Sequence, residues 1–216
     1  MKNKKYILFD FDGTLFDSQI GIKKAIKFAL AIEDIYDITD EVLESFIGPP
    51  LHKSFSEHFG FKEDKIEVLI TNLRKYYSEK GYQETQLYEG IKSLIIELKA
   101  QDKILAIATA KPTRYAKQIL KGYKMNEFFS SVHGSASKGE LFPKDRVIGS
   151  VMKDLDLFDA EDCVMIGDTI YDIKGAQFHS MDSIAVNYGY GKRKDLVSAR
   201  ANIIVETVNE LQKILL

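Results

Sequence analysis

The chain has a single cysteine, Cys163, so no disulfide can form within it. That favours a reducing compartment. Cys163 opens the apolar run "CVMIGD" and reads as a small buried strand residue rather than a reactive thiol. Neither sign of charge is in excess: 30 basic against 32 acidic residues leave a net charge of −2. An electrostatic nucleic-acid binder usually carries a basic surplus, so that class is disfavoured; no small substrate is excluded. Long hydrophobic runs are also missing. No stretch approaches the roughly 20 apolar residues of a membrane span. The opening "MKNKKYILFDFDG" turns apolar too briefly for a signal peptide and is cut by Asp10, which predicts a cytoplasmic location with no membrane partner. There is no internal repeat and no low-complexity tract. What remains is an ordinary globular composition over 216 residues, enough for one domain or a domain carrying an insert.

Short apolar runs alternate with amphipathic ones. "YILFDF" (6–11), "ILAIATA" (104–110), "CVMIG" (163–167), "SIAV" (183–186) and "NIIV" (202–205) read as strands, with a weaker one near Ser131–His133. Near-continuous apolar strands suit a parallel sheet covered on both faces. Between them, 88–101 places Ile91, Leu94, Ile95 and Leu98 at helical spacing, and 112–122, 144–155 and 207–215 behave alike. This predicts a doubly wound, Rossmann-like α/β core with a parallel sheet. The stretch 18–82 has helical patterns and no strand run. Asp17 or Ser18 is the expected cap of its first helix and Thr39 of a later one; Gly48 is a helix stop before two prolines. The expected organisation is a core of residues 1–15 and 84–216 interrupted by an all-helical insert over 16–83.

The first strand runs into "DFDGT". In extended backbone Asp10 and Asp12 share a face at the carboxyl end of the strand, where open α/β sheets bind ligands. Two close carboxylates need a proton or a cation between them. Gly13 permits a sharp turn, and Thr14 can donate a hydrogen bond to a carboxylate. Two other strands also end in polar residues. "ILAIATAKP" ends in Thr109 and Lys111; "CVMIGDTIYD" ends in Asp168, with Asp172 four residues on and on the same helix face.

"DFDGT", "TAKP", the lysine of "FPKDRVI" and "GDTIYD" together resemble the four motifs of the haloacid dehalogenase superfamily, in order and spacing, over nearly the whole chain. "IGPPL" and "ATAKPTRYAKQIL" resemble its phosphoglycolate-phosphatase-like and nucleotidase-like branch, which has a small helical cap. The resemblance implies a Mg²⁺-dependent phosphatase acting on a small phosphomonoester. In it Asp10 is the nucleophile that forms an aspartyl-phosphate, and Asp12 is the acid and base. Thr109 and the Ala110 amide contact the transferring phosphoryl group, and a motif lysine, Lys144 or its rival Lys138, spreads the developing charge. The metal would take the Asp10 side chain, the Asp12 backbone carbonyl and the Asp168 side chain, with Asp172 in support. Gly48, Pro49, Ala110 and Lys111 are implied substrate contacts. Lys53, Arg74 and Lys75 are weaker anion candidates, whereas Phe55, Tyr76 and Tyr77 read as core. A carboxylate at position 12 speaks against a dehalogenase, and the absence of spanning helices against a transport ATPase. The alternative is a sugar-phosphate mutase resembling β-phosphoglucomutase. Either enzyme would be a monomer or a dimer.

Overall fold

The computed structural model describes residues 1–47, 51–135 and 143–216. The chain opens with strand β1 (Tyr6–Phe9), and a short strand β2 (Phe16–Asp17) precedes a run of helices. These are α1 (Gln19–Ala31), α2 (Asp40–Ser45), α3 (Leu51–Phe59) and α4 (Glu63–Glu79). After the short strand β3 (Gln86–Leu87), strands and helices alternate: α5 (Ile91–Ala100), β4 (Ile104–Pro112), α6 (Thr113–Gly122), β5 (Phe129–Ser135) and α7 (Lys144–Asp154). The order continues with β6 (Cys163–Gly167), α8 (Ile170–Phe178), β7 (Asp182–Val186), α9 (Arg193–Ser198), β8 (Ile203–Val205) and α10 (Val208–Leu215).

Six strands form one sheet in the order β5-β4-β1-β6-β7-β8, and its five strand pairings are parallel. β1 lies in the middle. Chain order runs outward from it on one side through β4 and β5, then returns to run outward on the other side through β6, β7 and β8. The carboxyl end of β1 is therefore a topological switch point, where such sheets open a crevice. Ile7, Leu8 and Phe9 of β1 and Val164, Met165 and Ile166 of β6 are all buried, as central parallel strands require. On one face Leu8, Ala106 and Met165 join Ile148 and Val151 of α7 and Ala176 of α8 in a single apolar cluster. α5 buries Ile91, Leu94, Ile95 and Leu98, the four residues whose spacing marks it as amphipathic. Each such side chain contributes about 1.5–3 kcal/mol on burial.

The chain divides into two compact units, Met1–Asp17 with Leu87–Leu216, and Ser18–Gln86. Within the second unit α1 packs on α4, burying Ile26, Ala29 and Leu30 of the first and Ile66, Leu69, Ile70 and Leu73 of the second. Phe55 and Tyr77 are buried in this unit, and Tyr76 lies against Phe28 with ring centroids 5.3 Å apart. Thr39 caps α2 by accepting a hydrogen bond from the Val42 amide at 3.4 Å.

Local details differ from expectation. β1 stops at Phe9, two residues early, because Phe11–Phe16 closes into a turn: the Leu15 and Phe16 amides donate to Phe11 O, the Gly13 amide donates to Phe16 O, and Gly13 adopts φ +79°. Ser18 occupies the N-cap position of α1 without a side-chain capping bond, and the Asp17 carboxylate instead accepts a hydrogen bond from the Tyr190 hydroxyl at 3.1 Å. β5 spans seven residues, longer than its weak pattern suggests.

Candidate active site

Strand register brings the polar strand ends together. Phe9 lies level with Ile107 on one side and Ile166 on the other. One step further along, the Asp10 amide donates to Ile166 O at 2.8 Å. Two steps beyond the Phe9 level in their own strands stand Thr109 and Asp168. The gathering of these groups follows from parallel pairing in register, not from any local preference of the residues themselves.

Asp10, Asp168 and Asp172 are all buried, and one carboxylate oxygen of each lies within 4.8 Å of the others. The Lys144 ammonium, on the first residue of α7, sits among them. It pairs with Asp10 Oδ2 at 3.0 Å and Asp172 Oδ1 at 2.6 Å, and donates to Ala108 O at 3.1 Å. Burial pushes the Asp10 carboxyl up to about 7; Lys144 opposes this, Asp172 adds to it, and Lys144 and Thr109 hydrogen bonds lower it. Burial, then Asp172 and Asp10, hold Asp168 well above the usual carboxylate range. Neighbouring carboxylates outweigh the effect of burial on the Lys144 ammonium and raise its affinity for its proton. Three buried carboxylates beside this one ammonium leave room for a further positive charge.

The supporting bonds distinguish the three acids. Asp10 Oδ1 accepts the Phe11 amide at 2.7 Å. Asp172 Oδ2 accepts both the amide and the hydroxyl of Thr169, at 2.9 and 2.7 Å, closing a capping box at the start of α8. With Oδ1 on Lys144, both of its oxygens are engaged within the protein. Asp168 accepts the Thr14 hydroxyl at 3.3 Å and the Tyr190 amide at 2.8 Å.

Asp12 is set differently. With the strand ended at Phe9, strand alternation no longer governs its direction. Its carboxylate is gripped through both oxygens by Lys111 Nζ, at 2.9 and 3.0 Å. The Thr109 hydroxyl accepts the Lys111 amide at 3.1 Å. Gly48, Pro49 and Lys138 lie outside the described residues. Ala110 is on β4 beside Thr109 and is exposed. Lys53 is on the surface of α3, 3.8 Å from Glu57, and Lys75 is exposed on α4.

Residues 7–186 match the family described as haloacid dehalogenase-like hydrolase. The chain belongs to this family. It is thus an enzyme of the haloacid dehalogenase-like hydrolases, with the parallel α/β sheet of that fold. It is 34% identical over 190 residues to a 5'-nucleotidase of Pseudomonas aeruginosa, covering 88% of this chain and 86% of the relative. It is 26% identical to a phosphoglycolate phosphatase of Aliivibrio fischeri, covering 98% and 96%. The crystal structure of a predicted phosphatase from Clostridium acetobutylicum superposes with a TM-score of 0.90 at 41% identity, covering 98% of this chain and 97% of that one. Among the described residues no helix is long and apolar enough to cross a membrane.

In this haloacid dehalogenase-like chain the segment "NYGYG" (187–191) was missed by sequence reasoning, although it follows the carboxyl end of β7 as the other site residues follow theirs. The Tyr190 amide holds Asp168, its hydroxyl holds Asp17, and the Tyr188 hydroxyl donates to Thr14 O at 3.0 Å. Gly189 packs so closely that a Cβ there would fall 2.3 Å from both Asp168 Cβ and Gly13 O. A strand end followed by glycines was the available signal.

Proposed function

We propose that the enzyme is a phosphatase that hydrolyses a small phosphomonoester through an aspartyl-phosphate on Asp10. The reading rests above all on the buried trio Asp10, Asp168 and Asp172 around Lys144, with a fourth carboxylate, Asp12, on its own lysine. The named relatives, a 5'-nucleotidase and a phosphoglycolate phosphatase, support the substrate class.

An Asp10 oxygen attacks phosphorus, and the bond from phosphorus to the ester oxygen breaks with its electron pair going to the leaving group. Asp12 gives its proton to that oxygen. The resulting carboxylate then takes a proton from water, whose oxygen attacks the phosphoryl group. The Asp10–phosphorus bond breaks, and inorganic phosphate and free Asp10 result. The Phe11 amide and Lys144 fix the plane of the Asp10 carboxylate. Lys144 and the Thr109 hydroxyl stabilise charge on the transferring group; one such donor is worth about 2.7–4 kcal/mol in the transition state.

The donor set is made of carboxylate oxygens, which suits a hard divalent cation such as Mg²⁺. Asp10 and Asp168 would hold it together with the Asp12 carbonyl, and Asp172, engaged by Lys144 and Thr169, would brace the site. When bound, the cation offsets the repulsion between the acids and an anionic substrate. The helical unit, joined to the α/β unit by two chain connections, would serve as the cap that selects substrate and excludes water, in a cytoplasmic enzyme.

The test is hydrolysis of p-nitrophenyl phosphate and a panel of phosphomonoesters with Mg²⁺, with EDTA, and by Asp10→Asn. Turnover is expected in the first case alone. Undiminished turnover by Asp10→Asn would exclude the covalent route. Conversion of a hexose 1-phosphate to the 6-phosphate without phosphate release would establish a mutase instead.

A further inference from the structure

We propose that Lys111 is a positioning residue for Asp12, keeping one oxygen of its carboxyl group on the ammonium while the other carries the proton to the leaving-group oxygen, and is not a substrate-anion contact. The inference rests on the phosphatase reading above and concerns how its acid is held.

The Lys111 side chain is 3% exposed, whereas that of Asp12 is 24% exposed, so of the two it is the aspartate that stands nearer the solvent from which a substrate arrives. The Lys111 ammonium reaches both Asp12 oxygens at nearly equal distance, 2.9 and 3.0 Å. Such an arrangement fixes the direction of the carboxylate as well as its place. The lysine is itself restrained. Its ammonium lies 5.5 Å from the centroid of the Phe11 ring, and that ring is stacked on Phe16 at 4.4 Å. Both phenylalanines are fully buried. Its backbone amide is tied to Thr109, and at Gly134 of β5 a Cβ would fall 2.0 Å from Lys111 O, so the neighbouring strand closes on it directly. The flexible four-carbon stem has thus lost its freedom before any substrate arrives. Asp12, in contrast, sits beyond the end of β1, in a turn where its backbone bridges to Phe16. The arrangement places the buried, rigid partner behind the more exposed carboxylate that must meet the substrate.

The consequence is a dependence on leaving group. A good leaving group departs without a proton and is indifferent to where the acid stands; a poor one is not. The test uses the full-length Mg²⁺-loaded enzyme and a series of phenyl phosphates from p-nitrophenyl phosphate to unsubstituted phenyl phosphate. In Lys111→Met, kcat/KM for phenyl phosphate is expected to fall about 100-fold, the loss typical of a misplaced reacting group. That for p-nitrophenyl phosphate should fall less than about threefold, with KM little changed and Lys111→Arg restoring the parent slope. On an Asp12→Asn background the lysine change should add less than about twofold. If the methionine variant does not fold, Lys111→Gln carries the same comparison. A uniform loss across the series with a raised KM would identify an anion contact and overturn the proposal. So would an unchanged slope. Absence of turnover by the parent enzyme would overturn the phosphatase reading, and this inference with it.

Discussion

Replacing Lys144 with methionine tests the electrostatics of the site without touching a carboxylate. The change keeps most of the apolar stem and removes three contacts: Asp10 at 3.0 Å, Asp172 at 2.6 Å and the Ala108 carbonyl at 3.1 Å. Breaking a buried ion pair from one side typically costs about 3–5 kcal/mol, because the remaining charge is left buried without compensation. For a chain of this size each kcal/mol lowers Tm by about 2–4 °C, so the drop should be about 6–20 °C in metal-free buffer near pH 8. The loss should depend on pH. Asp10 is held up at about 7 by burial even with Lys144 present. Its folded value lies above its unfolded one, so its contribution to stability is complete below the unfolded value and is lost as pH rises through about 7. Without the ammonium the folded value moves higher still, and the deficit relative to the parent grows with pH. Paired thermal melts at pH 5 and pH 8, both in EDTA, measure this. An equal Tm loss at the two pH values, or a loss below about 1 kcal/mol at pH 8, would refute the reasoning.

Other consequences follow from the same geometry. Saturating Mg²⁺ at about 100 times its dissociation constant should stabilise the parent by about 2.7 kcal/mol, a Tm rise of about 5–11 °C. That rise should vanish in Asp168→Asn, and its persistence there would remove Asp168 from the cation site. Gly189→Ala forces a methyl against Asp168 and Gly13. It should cost about 1–3 kcal/mol in chemical denaturation and lower kcat as well. Gly122→Ala, whose added Cβ meets nothing within 4 Å beyond its chain neighbours and its own helix backbone, should raise stability by about 0.4–1 kcal/mol in the same assay; the reverse order for these two variants would show that the backbone contacts at Gly189 are not tight.

How much could be read in advance varied by element. The α/β class was legible because burial imposes a local period. β1 and β6 are apolar throughout since both faces are covered, and α5 repeats at helical spacing since one face is. The nearness of Asp10 and Asp168 was inferable from strand ends alone, given parallel strands in register. The grip of Lys111 on Asp12 was not. It joins residues 99 positions apart, and a lysine after a strand reads equally well as a solvated residue or an anion contact. Nor was the role of Tyr190 visible, because a backbone amide has no signature in the sequence. The early end of β1 was hidden for a similar reason: "FDF" continues the strand pattern, and it is the turn closed between Phe11 and Phe16 that stops it.

By itself, then, the order of amino acids determined the strand–helix alternation and the set of acids at strand ends, since hydrophobic periodicity and turn chemistry act over a few residues. Only the tertiary structure decided that Lys111 serves Asp12. Ion pairing in a buried site depends on distances across elements far apart in the chain, and those distances exist only once the sheet has assembled.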